Sequence, residues 1–356
     1  MNQSFTIDML GDARDERGHA SPPAAQAPAT LIVIPTLNEA AHIGRLLDWL
    51  LPRLEALDAR LVVADGGSTD GTREIVEGRA ANDGRGGRRL SLLPNSRRLQ
   101  AAGVNLAVES FAGPGTAWLL RLDAHADYPS DFCEVLIEDA EATGADSVVV
   151  SMEAVGEGFW QGAIAAAQNS RFGNGGSPHR LKGEGRWVEH GHHALMRVDA
   201  FREVGGYDPS FSHNEDAELD FRLGAAGRRI WLTGRTQVLY HPRATPARLM
   251  AQYLRFGRGR ARTMLKHERR PGSRQAVVIA LAPALALALL WPLHGVFALP
   301  LLLWVAACLL AGAAIAGAAR DWRGLAAGPL AGLMQASWSA GFWLECLGHR
   351  VRGGAR

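Results

Sequence analysis

From Ala276 through Ala319, 44 residues pass without a single Asp, Glu, Lys or Arg. With 21% charged residues in the chain as a whole, roughly nine would fall in a window of that length. Coiled into a helix, the stretch would be about 66 Å long, over twice the ~30 Å hydrocarbon core of a bilayer, so it fits two spans and not one. We place the spans near 276–293 and 295–318. The hairpin bend falls at Pro292, His294 and Gly295, where a proline and a polar residue suit a tight turn. The soluble alternative is a pair of buried core helices. A third apolar segment, from about Leu325 to Leu347, is broken by Gly328, Gly332, Gln335, Ser337, Ser339 and Glu345. It can cross, pack on the first two through its small residues, or lie in the interface.

Charge divides the rest. Residues 1–241 hold 23 Lys and Arg against 33 Asp and Glu, a net of -10, and residues 242–275 hold ten against one, a net of +9. The remaining residues hold five against two, so the whole-chain charge of +2 is a cancellation. A basic juxtamembrane segment at 242–275, abutting the first span, is the positive-inside pattern. It places that segment and the domain before it in the cytoplasm, against membrane lipids. No nucleic-acid partner is expected, because an acidic domain lies behind the basic run and an apolar one ahead of it. Residues 1–29, rich in Ala, Pro, Asp and Arg with no sustained apolar run, read as a disordered tail and not as a signal peptide. The membrane region extends over 276–348, with two or three helices, and 349–356 is a basic C-terminal tail. Cys133, Cys308 and Cys346 share no C-x-x-C spacing, which excludes a zinc framework or disulfide scaffold and suits a reducing compartment.

Over 30–241 strands and helices alternate in the α/β pattern of a parallel sheet with crossover helices. Strands are expected at 31–34, 60–64, 89–93 and 117–122, with helices at 38–57, after the turn at 68–71, and at 97–110. Weaker strands are expected near 146–151, 187–197, 229–233 and 237–240, and a helix from about Asn214 to Ala226, stopped by Gly227. The topology is Rossmann-like. In such sheets functional groups gather beyond the carboxyl ends of the strands. Those ends carry Pro35, Thr36, Leu37, Asn38 and Glu39 after the first strand, Asp65 to Gly71 after the second, and Asp123 to Asp127 after the fourth.

A dinucleotide site needs G-x-G-x-x-G directly after the first strand, and the turn there has no glycine, so that class is excluded along with the P-loop. Asp65 with its glycines can be a tight turn in which Ser68 or Asp70 caps the next helix. Asp123-Ala-His125 has the spacing of two metal ligands leaving a strand end. One or two carboxylates suffice for Mg²⁺ when a diphosphate completes the shell, and the softer imidazole admits Mn²⁺. Asp127 is the alternative second ligand. Asn214-Glu215-Asp216-Ala217-Glu218 opens a helix, where Asn can cap and acids complement the dipole. The same position at a cleft rim can supply a general base. Glu189, His190, His192 and His193 lack the helical His-Glu-x-x-His geometry of a zinc site, so lining of an acceptor site or packing is expected. Gly205 to Asp208 reads as a turn on the acceptor side of the cleft, and Trp160 and Trp187 are candidates for stacking on a sugar.

Taken in order, LIVIPTLNE (31–39), VVADGGSTDGT (62–72), NSRRLQAAGVNLA (95–107), RLDAHADYP (121–129), GHHALMRVDAFREVGGYD (191–208) and NEDAELDFRL (214–223) resemble family 2 of the inverting glycosyltransferases, which have the GT-A fold. Within it, the Asp-Ala-His variant, the run YLRFGRGRAR (253–262) and the apolar tail are similar to the membrane-associated ExoA-type glucosyltransferases of succinoglycan biosynthesis. The resemblance covers about residues 30–300. It implies that Pro35, Thr36, Asn38, Glu39 and Gly67 line the nucleotide pocket, that Asp65 accepts from the uracil ring, and that Arg98 closes over the nucleotide. Asp123 would contact ribose and metal, with His125 where the family has a second Asp, and Asp216 would be the base. His192, Glu215, Arg258 and Arg260 would meet the acceptor or the diphosphate. The implied function is metal-dependent inverting transfer of a hexose, glucose in this reading, from a UDP-sugar to a polyprenyl-diphosphate-linked saccharide in exopolysaccharide assembly. Transfer to a membrane lipid or carotenoid hydroxyl, and nucleotide-sugar binding without turnover, are the alternatives.

Overall fold

The computed structural model describes residues 28–81, 89–176 and 183–353. The expected N-terminal tail falls almost wholly outside them, as does the end of the C-terminal one. The first half is β1 (Thr30–Thr36), α1 (Ala40–Leu50), β2 (Ala59–Asp65), α2 (Thr72–Ala81), β3 (Leu90–Pro94), α3 (Gln100–Phe111) and β4 (Trp118–Arg121). These strands are parallel in the order β3-β2-β1-β4, the Rossmann-like half anticipated from the alternation. α1 ends sooner than its apolar spacing predicts, because Pro52 has no N–H to continue the ladder. Leu51–Arg53 tightens into a 3-10 turn that still buries Leu54 and Leu57.

The second half runs β5 (Ala126–Asp127), α4 (Phe132–Thr143), β6 (Ser147–Ala154), α5 (Gly158–Asn169), α6 (Arg171–Asn174), β7 (Arg186–Val188), β8 (His192–Arg197), α7 (Val198–Glu203), α8 (Glu215–Ala225) and β9 (Ile230–Tyr240). Among the described residues nine strands form one sheet, β3-β2-β1-β4-β8-β6-β9-β5, with β7 on β9. β8 is antiparallel to both β4 and β6, so the sheet is mixed and not purely parallel. Two expectations change here. The strand expected over 187–197 is two, broken at 189–191, and the pair expected at 229–233 and 237–240 is one continuous β9. Period-two patterning cannot say where a strand changes partners.

α9 (Pro246–Lys266) carries most of the basic segment. It is capped by Thr245, whose side chain accepts from the Arg248 N–H at 3.3 Å. α10 (Ser273–Ala286), prolonged by a 3-10 turn to Leu290, and α11 (Leu299–Ala319) form the apolar hairpin. Ser273–Leu290 and Gly295–Ala319 are long and apolar enough to cross a membrane, and they are almost entirely unburied, which the soluble core-pair alternative does not accommodate. Leu289 is 81% exposed and Leu293 77%. α12 (Gly324–Gly353) takes up the third apolar segment and runs through the tail boundary expected at 348. It packs through its small residues, one of the three outcomes open to it. A Cβ at Gly328 would lie 2.0 Å from the Cys308 carbonyl of α11, and one at Gly341 2.0 Å from the Leu254 carbonyl of α9. Only glycine lets helix backbones approach so closely. Gln335 Nε2 donates to the Phe172 carbonyl at 2.6 Å and Arg262 pairs with Glu345 at 3.0 Å, so α12 ties the hairpin to the sheet domain.

Candidate active site at the ends of β1, β4 and β8

In the order β3-β2-β1-β4 the chain leaves β1 toward β2 on one side and later returns to β4 on the other. The topology therefore switches between β1 and β4, and a crevice must open beyond their carboxyl ends. The loops after these two strands meet there, His125 Nδ1 lying 3.1 Å from Glu39 Oε1. That bond raises the imidazole above its ordinary value against the opposing effect of burial. Because β8 runs antiparallel to β4, with Leu120 opposite Leu195, its first residue, His192, arrives beside Asp123, two residues beyond the end of β4. His192 Nε2 lies 3.7 Å from Asp123 Oδ2, and its Nδ1 3.9 Å from Asp216 Oδ2.

Arg121, the last residue of β4, is buried beneath this group. Its Nη1 donates to Asp216 Oδ1 at 2.8 Å and its Nη2 to Gln100 Oε1 at 3.1 Å, and Nη2 lies 3.6 Å from Asp123 and 3.9 Å from Glu215. Burial opposes the charge, but these carboxylates outweigh it and hold Arg121 well above its usual range. Tyr207 lies under the same cluster, 1% exposed, its hydroxyl donating to Asp216 Oδ1 at 3.0 Å. It is delivered there by the turn at Gly205 and Gly206, both at positive φ, and Asn105 pins it from both sides through its own N–H and carbonyl. Burial pushes the Asp123 carboxyl up, yet Arg121, His192 and His125 bring it below its ordinary value. Glu215 has the reverse balance: burial and the neighbouring Asp216 raise its carboxyl to about 7, despite Arg121. Asn214, at positive φ, does not cap α8 with its side chain. Its amide instead donates to Thr263 on α9 at 3.2 Å, anchoring the start of α8.

A cavity of about 1390 Å³ collects most of the sequence-selected residues. Pro35, Thr36, Glu39 and Arg98 line it on the β1 side, with Asp123, His125, His192, Glu215 and Asp216 opposite and Arg260 from α9. Trp187 lines it too, and Trp160 does not. Arg258 is exposed on another face of α9 and is not part of the wall, so of the two arginines named from the sequence only Arg260 is placed at the site. Asn38, Asp65 and Gly67 are not part of the wall. Asp65 accepts from the N–H groups of Gly67 at 2.9 Å and Ser68 at 3.0 Å, while Asn38 Oδ1 accepts from the Thr69 N–H at 2.9 Å, lacing the β1 and β2 loops together. Asp70 binds Thr72 N and Oγ1 at the start of α2, the capping role foreseen for that turn. His190 bonds Asp220 and does not join the cluster at Asp123. Sequence reasoning missed Arg121, Tyr207 and Gln100. The available signal was a lone arginine inside the apolar strand AWLLRL, a position where a charge requires buried partners.

Among the described residues no three His, Cys, Asp or Glu side chains are arranged to hold a metal ion by themselves. Asp123 Oδ1 is buried without a hydrogen-bond partner, and His125 stands on the same loop. This two-donor set fits a hard cation that receives further oxygens from a diphosphate.

The family model Glycosyl transferase family 2 matches residues 31–205, and that of Glycosyl transferase family group 2 matches 130–317. The chain is 53% identical over 324 residues to succinoglycan biosynthesis protein ExoA of Rhizobium meliloti (strain 1021), a match that spans 91% of this chain and 97% of that one. Among solved structures, the mannosyltransferase PcManGT from Pyrobaculum calidifontis, in complex with GDP-Man and Mn²⁺, aligns with a TM-score of 0.56 at 20% identity. That alignment covers 90% of this chain and 88% of that one, and the shared fold is GT-A.

Proposed function

Since the chain belongs to glycosyl transferase family 2, we propose that it transfers a hexose, glucose in our reading, from a UDP-sugar to a polyprenyl-diphosphate-linked saccharide, with inversion. The name of its 53% identical relative supports a role in exopolysaccharide assembly, and the unburied apolar hairpin supports work at the inner face of a bacterial cytoplasmic membrane. The observation that carries the mechanism is Asp216, bonded to Arg121 at 2.8 Å at the wall of a cavity that also contains Asp123 and His125.

In this mechanism the acceptor hydroxyl sits against Asp216, which removes its proton as the oxygen attacks the anomeric carbon and the nucleoside diphosphate leaves from the opposite face. Arg121 and Tyr207 fix the carboxylate in one orientation, so the base is positioned before substrate arrives. Asp123 and His125 would hold a divalent metal, Mg²⁺ or Mn²⁺, which when bound neutralises charge on the departing diphosphate. Pro35, Thr36, Glu39 and Arg98 would enclose the nucleotide, over the Asn38, Asp65 and Gly67 lattice that sets the shape of their loops. The experiment is UDP release from UDP-glucose with Mn²⁺ and a bacterial lipid extract. An Asp216→Asn variant should bind UDP normally and lose about 10²–10⁴-fold in turnover. UDP binding without turnover in the wild-type protein, under every acceptor tried, would sink the transferase reading.

A further inference from the structure

The cavity that holds the carboxylates continues past them. Its far wall is built by Arg270 from the linker between α9 and α10, by Arg274 and Val278 of α10, and by Met334 and Trp338 of α12. One continuous space thus joins the end of β4 to the base of the apolar hairpin. Its charges are out of balance along the way. Arg255, Arg260 and Arg270 have no carboxylate partner among the described residues, and Arg274 has only the Gly176 carbonyl at 3.4 Å. Burial, with Arg269 nearby, pulls the Arg260 guanidinium below its ordinary range even though Asp220 acts to raise it. Like charges gathered around one cavity are costly unless an anion is meant to fill it. A nucleotide sugar accounts for the end near Asp123. It is water-soluble throughout and has no use for a wall of Val278, Met334 and Trp338, which lies at the base of the apolar hairpin.

We propose that the end of the cavity between α10 and α12 is a second, separate subsite for an isoprenyl diphosphate, with Arg270 and Arg274 at its rim for the diphosphate and Val278, Met334 and Trp338 for the first isoprene units. The proposal deepens the transferase reading and rests on it for its use, since it sets the acceptor's lipid end at the hairpin and its saccharide end toward Asp216. Binding itself can be measured without turnover. Full-length protein in lipid nanodiscs is titrated calorimetrically with geranyl diphosphate, inorganic pyrophosphate and UDP. Geranyl diphosphate should bind with UDP already saturating, and about tenfold tighter than pyrophosphate. An Arg270→Ala/Arg274→Ala double variant should weaken it about tenfold while leaving UDP affinity unchanged, and Trp338→Ala should weaken geranyl diphosphate but not pyrophosphate. Competition by UDP would assign these arginines to the donor and overturn the proposal. Equal affinity for pyrophosphate would reduce the site to one for free phosphate and overturn it equally. UDP release with lipid extract but no geranyl diphosphate binding would sink the subsite and leave the transferase standing. Binding without turnover would do the reverse.

Discussion

Arg121 is the residue on which the others depend. Among the described residues it is the guanidinium shared by Asp123, Glu215 and Asp216, so an Arg121→Met variant leaves a buried Glu215 facing two half-buried aspartates with no cation between them. Breaking a buried pair in this way costs about 3–5 kcal/mol, and a urea titration should show it. Arg121→Lys should recover little, because an ammonium cannot reach Asp216 and Gln100 at once as a planar fork does. Tyr207→Phe removes two hydrogen bonds, one accepted from Arg121 at 3.2 Å and one donated to Asp216, about 1 kcal/mol each, and should lower kcat more than it changes KM, since Asp216 loses its fixed orientation. The pH dependence follows from two raised groups. The Glu215 carboxyl titrates near 4.5 when unfolded and about 7 when folded, so the native state keeps a proton that the unfolded chain has lost. Stability from this group therefore declines as pH rises from about 4.5 through 7, by at most on the order of 3 kcal/mol. His125, raised above 6.5, contributes fully below that value and is lost as pH rises through its folded pKa, the same direction. With metal chelated, the thermal midpoint should be higher at pH 6 than at pH 8.5. Glu215→Gln should flatten that difference; an unchanged slope would show that the burial is not felt in solution. Asp123, His192 and Asp216 could be read from the sequence because they stand at strand and helix ends, where chemistry collects. Arg121 and Tyr207 could not be placed there, because Arg121 meets Tyr207 and Asp216 across 86 and 95 residues of chain and only the antiparallel β8 and the glycine turn bring them together.

Among the elements, α10 shows how a broken helix is repaired by its neighbour. Pro283 has no N–H for the Ile279 carbonyl four residues earlier. That carbonyl accepts instead from Ser339 Oγ at 2.9 Å and Trp343 Nε1 at 2.8 Å, both on α12, and Ser339 Oγ also accepts from the Ala282 N–H. Ser339→Ala should cost about 1 kcal/mol, and adding Trp343→Phe should cost more than the sum, because the carbonyl then has no partner in an apolar setting. Thermal denaturation in nanodiscs of the two single variants and the double would show it, and strict additivity would mean that water reaches the carbonyl. The α9–α12 contact is tested by Gly341→Leu, which forces α9 away from α12 and with it Thr263, the anchor of Asn214. A shift of about 1 Å at Asp216 can cost roughly 100-fold in turnover, while UDP affinity, set on the β1 and β2 loops, should hold. Equal loss of both would point to general unfolding. The elements legible in the sequence were those whose partners are sequential, the β1 to β4 run and the apolar hairpin. The split of 187–197 and the docking of α12 were not legible, since both depend on which distant surface offers a complementary edge or groove.

For the whole molecule, the way α12 is held decides the topology. α10 follows directly from α9, which lines the cavity, so the hairpin begins on the side of the sheet domain. It also returns there: Trp322, in the loop between α11 and α12, stacks on Phe159 at the start of α5 with ring centroids 5.2 Å apart. With α12 held in this way we infer that Arg320, Arg323 and the end of α12 share one face with the basic α9, so that no cluster of arginines has to be carried across. The alternative, with α12 as a third span, would put Arg320 and Arg323 opposite Arg350 and would break the Arg262–Glu345 pair and the Gln335 bond to Phe172. Only the bend near Pro292 and His294 is left to reach the far side. The 21 residues of α11 make about 32 Å of helix, close to the ~30 Å hydrocarbon core. In intact cells a membrane-impermeant maleimide should therefore label a His294→Cys variant from outside and should not label a cysteine added after Arg356 until the cells are opened. Native Cys133 and Cys308 are buried and Cys346 lies on α12, so a Cys346→Ser background keeps the assay clean. Labelling of the C-terminal cysteine in intact cells would require α12 to leave α9, and with it the wall that completes the cavity.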